Sequence, residues 1–268
     1  MKRVGLIGFG AIGRSIARLW ATLPAHSFLL VGVCARSWQA SEAHPPLPGG
    51  TQLCTDVEQL LALRPDYVIE AASHKVIQAH GAKMLRGGCS IYLLSVGSLA
   101  DEALRNSLLT AAQAGGSQIL VPAGALAGFD GLLALAGDGL RSVKYTSRKP
   151  CEAWRGTVAS EAYDLDRLTQ PTVIFRGSAG EAARLYPKNA NLAAAVALAG
   201  LGFDRTLVDL IADPDARGNI GSVEAVSRSS TLNLSVSSHA SSNPKTSANV
   251  GPSVISALRN GIESLRFV

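Results

Sequence analysis

Three glycines near the start of the chain, Gly8, Gly10 and Gly13, follow the apolar run Val4-Gly5-Leu6-Ile7 and precede a helical stretch from Ala11. A G-x-G-x-x-G set between a strand and a helix is suited to a pyrophosphate. Gly8 permits the tight turn, Gly10 lets the backbone approach the phosphates without a Cβ, and Gly13 lets the helix pack closely on the strand. The backbone amides around Ala11 and Ile12, at a helix N-terminus, face the anion.

Further chemistry is expected where other apolar runs end. After the second run the chain reads Cys34-Ala35-Arg36-Ser37. A fold selective for NAD usually places a carboxylate here, on the ribose 2′-hydroxyl. None is present, and Arg36 is suited to pair with a 2′-phosphate. NADP(H) or NAD(H) is therefore expected, with NADP(H) slightly favoured; the alternative is Arg36 as a solvated surface charge with NAD(H) in use. Ala72 and Ser73 follow a third run and Ser95 and Gly97 a fourth, and turns at the carboxyl ends of parallel strands face the ligand. His74 at the next helix start reads equally well as structural or functional. Three clusters in the second half join a cation to hydroxyl or amide donors. They hold Arg148 and Lys149, then Lys188, then Lys245 and Thr246. Such groups suit the carboxylates of a small acid; the same residue types also favour ordinary turns and caps.

These groups need elements to hold them. Apolar runs at 28–33, 67–72, 90–95 and 118–121 alternate with helical stretches at 56–63, 74–86 and 102–114, which predicts a doubly wound parallel sheet of Rossmann type. The pattern changes after Pro122. Strands are expected at 143–148, 172–175, 206–211, 222–226 and 231–237, with helices at 181–185 and 191–201. In the last strand Leu232, Leu234 and Val236 share one face and Asn233 and Ser235 the other, as in an antiparallel sheet wet on one side. The fold class is α/β: an N-terminal Rossmann domain over 1–122 and an α+β domain with a mainly antiparallel sheet over 123–247. A C-terminal helix within 248–268 is expected to pack back on the first domain.

Composition narrows the function. With 47% hydrophobic and 17% charged residues, the chain has apolar material for a sizeable core. No stretch is long and apolar enough for a membrane span, and Met1-Lys2-Arg3 runs straight into the first strand, so a cytoplasmic protein is expected. The net charge of +5 is scattered, without a basic run, which argues against nucleic acid. Cys34, Cys54, Cys89 and Cys151 lie far apart with no C-x-x-C pair, so neither a metal site nor a disulfide framework is expected.

Taken in order, several strings resemble the L-aspartate dehydrogenase family nearly end to end. They are the glycine turn, Ser95-Val96-Gly97, Gly124-Ala125, Thr146-Ser147-Arg148-Lys149-Pro150 and Phe175-Arg176-Gly177-Ser178-Ala179. Tyr186-Pro187-Lys188-Asn189-Ala190-Asn191, Ile211-Ala212-Asp213-Pro214 and Asn243-Pro244-Lys245-Thr246-Ser247 complete the series. The resemblance implies a homodimer that interconverts L-aspartate with iminoaspartate, or with oxaloacetate and ammonia, using NAD(P). It also implies that Ala125 and Asn191 contact the cofactor. The family's catalytic histidine closes a segment ending Asn-(Val/Ile)-His, and here the segment ends Asn219-Ile220-Gly221. Glycine can neither take nor give a proton, a service worth about two to four orders of magnitude in rate. His239 is one candidate substitute. Also open are an imine reductase or a dehydrogenase acting on another small amino or keto acid, and a cofactor-binding paralogue without turnover.

Overall fold

Residues buried on both sides of a parallel sheet read as unbroken apolar runs, and the first two strands show why this sheet forms. Val4, Leu6, Leu30 and Val33 are completely buried. In this computed structural model, residues 1–24, 26–36, 38, 45–239, 241 and 246–266 are described. The chain divides into two units, residues 1–122 with 251–268, and residues 123–250.

The first unit runs β1 (Lys2–Ile7), α1 (Ala11–Leu19), β2 (Phe28–Cys34), β3 (Gln52–Cys54), α2 (Val57–Ala62) and β4 (Tyr67–Glu70). It continues through α3 (His74–Val76), a π turn (Ile77–Gly81), α4 (Ala82–Arg86), β5 (Ser90–Leu93), α5 (Glu102–Gly115) and β6 (Ile119–Leu120). The six strands are parallel in the order β3-β2-β1-β4-β5-β6, the doubly wound arrangement expected from the alternation. Asp56 and Asp101 start α2 and α5 by accepting from Gln59 N and Leu104 N, as N-cap carboxylates do. Leu60 of α2 fills space that two glycines leave: a Cβ on Gly5 would lie 3.0 Å from Leu60 Cδ2, and one on Gly32 2.7 Å from Leu60 Cδ1. The three-residue strand β3, in a stretch for which the sequence predicts no element, is too short to show a period.

The second unit holds α6 (Phe129–Gly137), β7 (Ser142–Pro150), α7 (Ala159–Ala162), β8 (Thr172–Ser178), α8 (Ala179–Leu185) and α9 (Asn191–Ala199). The strands β9 (Leu207–Asp213), β10 (Asn219–Val226) and β11 (Thr231–Ser238) follow. Its sheet has the order β11-β10-β7-β9-β8, antiparallel except between β7 and β9. One face joins the core: Val143 and Tyr145 of β7, Val208 and Leu210 of β9, and Val223 and Ala225 of β10 gather with Trp154, Ala193 and Val196. The last helix, α10 (Val250–Asn260), belongs to the first unit from Gly251 onward. Val254, Ile255 and Leu258 pack there with Ile16, Ala17 and Trp20. Pro252 sits in the first turn of α10, where a missing N–H costs nothing.

Gly13 is the tightest point of the opening turn, since a Cβ there would sit 2.1 Å from the Gly8 carbonyl oxygen. Gly13→Ala forces helix and strand apart, and overpacking of this kind costs about 1–3 kcal/mol. Urea unfolding should show that loss, and a fluorescence titration should show weaker NADPH binding with it.

Candidate functional site

The glycine turn has the shape its sequence predicts. Gly8 adopts φ +95°, and a Cβ on it would lie 2.4 Å from the Ala71 carbonyl oxygen. Its amide donates to Cys34 O, which ties the turn to the end of β2. Gly10, by contrast, is exposed and a Cβ there would meet nothing within 4 Å. It is the N-cap of α1, makes no side-chain cap, and the first turn of α1 carries no acid. The first amides, through Ala11, Ile12 and Gly13, therefore have no competing side-chain anion, and this end of the helix fits a pyrophosphate.

The turns after β4 and β5 are organised by a residue that sequence reasoning missed. Glu70, fully buried at the end of β4, accepts from Ala72 N at 2.8 Å, Ser95 N at 2.9 Å and Ser95 Oγ at 2.9 Å. The Ser73 amide donates to it as well. Burial pushes this carboxyl up from its ordinary range, and the four donors pull it back. One carboxylate thus explains three predicted residues, Ala72, Ser73 and Ser95. Ala72 and Ser73 are exposed, whereas Ser95 and Gly97 are buried. Arg36 is exposed in the turn after β2, which is pinned by Ala35 N and Trp38 Nε1 donating to Cys54 O. Ser37 lies outside the described residues. Cys34 and Cys54 are register partners, and burial pushes both thiols up, Cys34 to about 11, so neither is a reactive thiolate.

In the second unit, β7 sorts the predicted cations between two faces. Lys144, Thr146 and Arg148 alternate with the buried Tyr145, Ser147 and Lys149. Arg148 pairs with the buried Asp213, and Lys144 and Arg176 both pair with Asp209. The adjacent cations expected to grip one ligand are therefore parted by the strand's period of two. Lys149 is only 8% exposed, holds its Nζ 5.6 Å from the Trp154 ring centroid, and has no ion pair among the described residues. Burial pulls its pKa from 10.5 down to about 8.

Gly221 lies on the core-facing side of β10 as the register partner of Ser147. A Cβ there would sit 3.3 Å from Tyr145 Oη and 3.4 Å from Leu126 Cδ1, next to the buried Ala125. Tyr145 is hydrogen-bonded to Ser147, and burial pushes its hydroxyl up to about 12. His239 is exposed just beyond β11, and its carbonyl accepts from Ala248 N; the atoms nearest the Gly221 position belong to Tyr145 and Leu126 instead. Asn219, two residues earlier on the same face, donates from Nδ2 to Ser247 Oγ at 3.0 Å. Thr246 is half-buried and bonded to Ser241, and Lys245 lies outside the described residues. Lys188 is exposed, and Asn191 opens α9. Among the described residues no His, Cys, Asp and Glu group could hold a metal, and no helix is long and apolar enough to cross a membrane.

Comparison with known proteins covers both units. A family profile described as "Aspartate dehydrogenase, C-terminal" matches residues 130–261, and one described as "Homoserine dehydrogenase, NAD binding domain" matches residues 8–122. The chain is 42% identical over 262 residues to the L-aspartate dehydrogenase of Cupriavidus necator, covering 97% of each. It is also 42% identical over 272 residues to the L-aspartate dehydrogenase of Pseudomonas aeruginosa, again covering 97% of each. The crystal structure of aspartate dehydrogenase from Thermotoga maritima superposes with a TM-score of 0.76 over the whole of both chains at 24% identity, a likeness of fold.

Glu70→Gln replaces an acceptor-only carboxylate with an amide that turns an N–H toward backbone donors. A broken hydrogen bond to a charged group costs about 1.5–3 kcal/mol. Urea unfolding should show a loss in that range, accompanied by weaker NADPH binding as the two turns loosen.

Proposed function

This chain belongs to the aspartate dehydrogenase family, and from that premise we propose that it interconverts L-aspartate with iminoaspartate, and so with oxaloacetate and ammonia. It is an NAD(P)-dependent oxidoreductase acting on CH–NH2 donors. The observation that carries the reading is the whole-length likeness to L-aspartate dehydrogenases, joined to an N-terminal turn whose open helix end fits the cofactor. The homodimer that the resemblance implies and the cytoplasmic setting expected from the sequence go with it.

The chain's own residues divide the work. Gly10, Ala11, Ile12 and Gly13 hold the pyrophosphate with backbone amides, which gives affinity without choosing between the two nicotinamide dinucleotides, and Gly8, whose own amide is bonded to Cys34 O, sets the turn that presents them. Arg36 makes that choice by pairing with a 2′-phosphate. Ala72, Ser73, Ser95 and Gly97 shape the turns that Glu70 fixes, and Ala125 and Asn191 supply further cofactor contacts. When bound, the nicotinamide takes a hydride from the carbon bearing nitrogen or returns one to it. Lys188, Thr246 and Lys245 hold the substrate's carboxylates. Arg148 is left out of that group because it already neutralises Asp213.

Gly221 supports a second reading, a protein that binds NADP(H) and turns nothing over, because the position carries no side chain and Tyr145 and Leu126 crowd it. Fluorescence titration with NADPH and NADH, followed by assays with L-aspartate and with oxaloacetate plus ammonia, separates the two. Turnover carries the first reading, and binding without turnover on any amino or keto acid carries the second. Arg36→Ala should raise the KM for NADP+ about 10- to 100-fold, as loss of a charge-assisted hydrogen bond does, and leave the KM for NAD+ nearly unchanged. Equal effects on both cofactors would remove Arg36 from the specificity role.

A further inference from the structure

Oxidising an amine requires a group that takes a proton from its nitrogen, and position 221 offers no atom for the purpose. We propose that Lys149 is the proton acceptor of this enzyme in the direction of aspartate oxidation, and the proton donor in reverse. The proposal rests on the aspartate dehydrogenase reading above.

Placement is the first support. Lys149 shares the core-facing side of β7 with Tyr145 and Ser147. Ser147 is the register partner of Gly221, and Tyr145 Oη lies 3.3 Å from where the missing Cβ would be. Lys149 is one strand repeat from Ser147, about 7 Å, a separation that a lysine side chain can span. Its charge state is the second support. The sheet's other buried carboxylates are already neutralised, Asp209 by Lys144 and Arg176 and Asp213 by Arg148. No carboxylate among the described residues pairs with Lys149, and its ammonium rests over the Trp154 ring.

The titratable and charged groups on the elements around it are Lys144, Tyr145 and Arg148 on its own strand, Asp209 and Asp213 on β9, Glu224 on β10, Cys151 and Glu152 in the following turn, and Tyr186 against Trp154. Lys144, Arg148 and Arg176 engage the two aspartates in ion pairs, and burial brings the Lys149 pKa down to about 8, which makes the neutral amine available in mildly alkaline solution. The third support is an unspent acceptor on the same face. Asn219 is 5% exposed, and its Oδ1 is buried with no hydrogen-bond partner among the described residues. A buried orphan acceptor is costly unless a ligand supplies a donor, and an amine N–H is such a donor.

The proton balance closes. Neutral Lys149 Nζ takes one proton from the substrate ammonium, and the freed nitrogen lone pair forms the C=N bond. As it forms, the C–H bond breaks and its electron pair leaves with the hydride for the nicotinamide. The substrate is oxidised by two electrons and the cofactor is reduced by two. Water then adds to the iminium carbon, and proton transfers that Lys149 can relay release oxaloacetate and ammonium. The remaining proton passes from Lys149 to solvent.

The test is the pH dependence of L-aspartate oxidation by the full-length protein at saturating NADP+, with Tm and NADPH titration as controls for folding. The wild-type kcat should rise with pH and level off above an inflection near 8. Lys149→Arg keeps a positive charge but cannot act as a base, and Lys149→Met keeps much of the volume. Both should lower kcat by about 10²–10⁴-fold, with little change in the KM for aspartate and no inflection. Added primary amines should restore kcat to Lys149→Ala in order of their basicity. A higher KM with kcat intact in Lys149→Arg would make the residue a carboxylate holder and overturn the proposal. So would loss of NADPH binding in all three variants, which marks a structural role. Wild-type protein that oxidises no aspartate at any pH would defeat the reading of function itself, a different result from turnover indifferent to Lys149.

Discussion

The second sheet depends on its central strand, β7, which pairs with β10 on one side and β9 on the other. Side chains on a strand alternate between faces, so neighbours in sequence are separated in space. That constraint decides the electrostatics of the unit. Arg148 and Lys149 are consecutive cations, yet one meets a carboxylate and the other meets an indole ring. The outer face is an ionic surface where Lys144, Arg148 and Arg176 are matched to Asp209 and Asp213. The inner face is apolar apart from a few polar groups, Ser147, Lys149 and Asn219 among them.

The first unit is governed by contacts of another kind. Its turn is set by backbone packed on backbone, where Gly8 approaches Ala71 and Gly13 approaches Gly8 more closely than any side chain would allow. Glu70 does the matching task for the turns after β4 and β5. A fully buried carboxylate is unfavourable unless its oxygens are hydrogen-bonded, and here donors converge from two separate turns. Moving either turn would leave an oxygen unsatisfied, so both are held in place without covalent or metal links.

Much of this was legible in the residues. The glycine turn, the alternation of strand and helix and the period-two pattern of Leu232, Leu234 and Val236 rest on local rules, and the fold follows them. The helix at Phe129–Gly137 was not legible, because its sequence Phe-Asp-Gly-Leu-Leu-Ala-Leu-Ala-Gly is nearly all apolar and its N-cap, Gly128, makes no side-chain cap bond. Glu70 was invisible for a related reason: a lone acid at the end of an apolar strand gives no sign of which amides will converge on it. The division of Arg148 from Lys149 follows from the period once β7 is known. Which of them is buried depends on partners in β9 and β10, and those are set by the fold.

The burial of Lys149 has an energetic consequence of its own. A lysine whose folded pKa is about 8 against 10.5 in its ordinary state binds fewer protons folded than unfolded between those values. Stability on this account rises as pH climbs through that window, and at neutral pH the charged form is held at a disadvantage. An arrangement that only stabilised the fold would give the ammonium a carboxylate, as the other cations of the sheet have. Keeping the amine buried and unmatched, beside a position reduced to glycine and an asparagine oxygen with no donor, costs stability and gains reactivity. Strain of this sort, local and unrelieved by neighbours, belongs where chemistry is done.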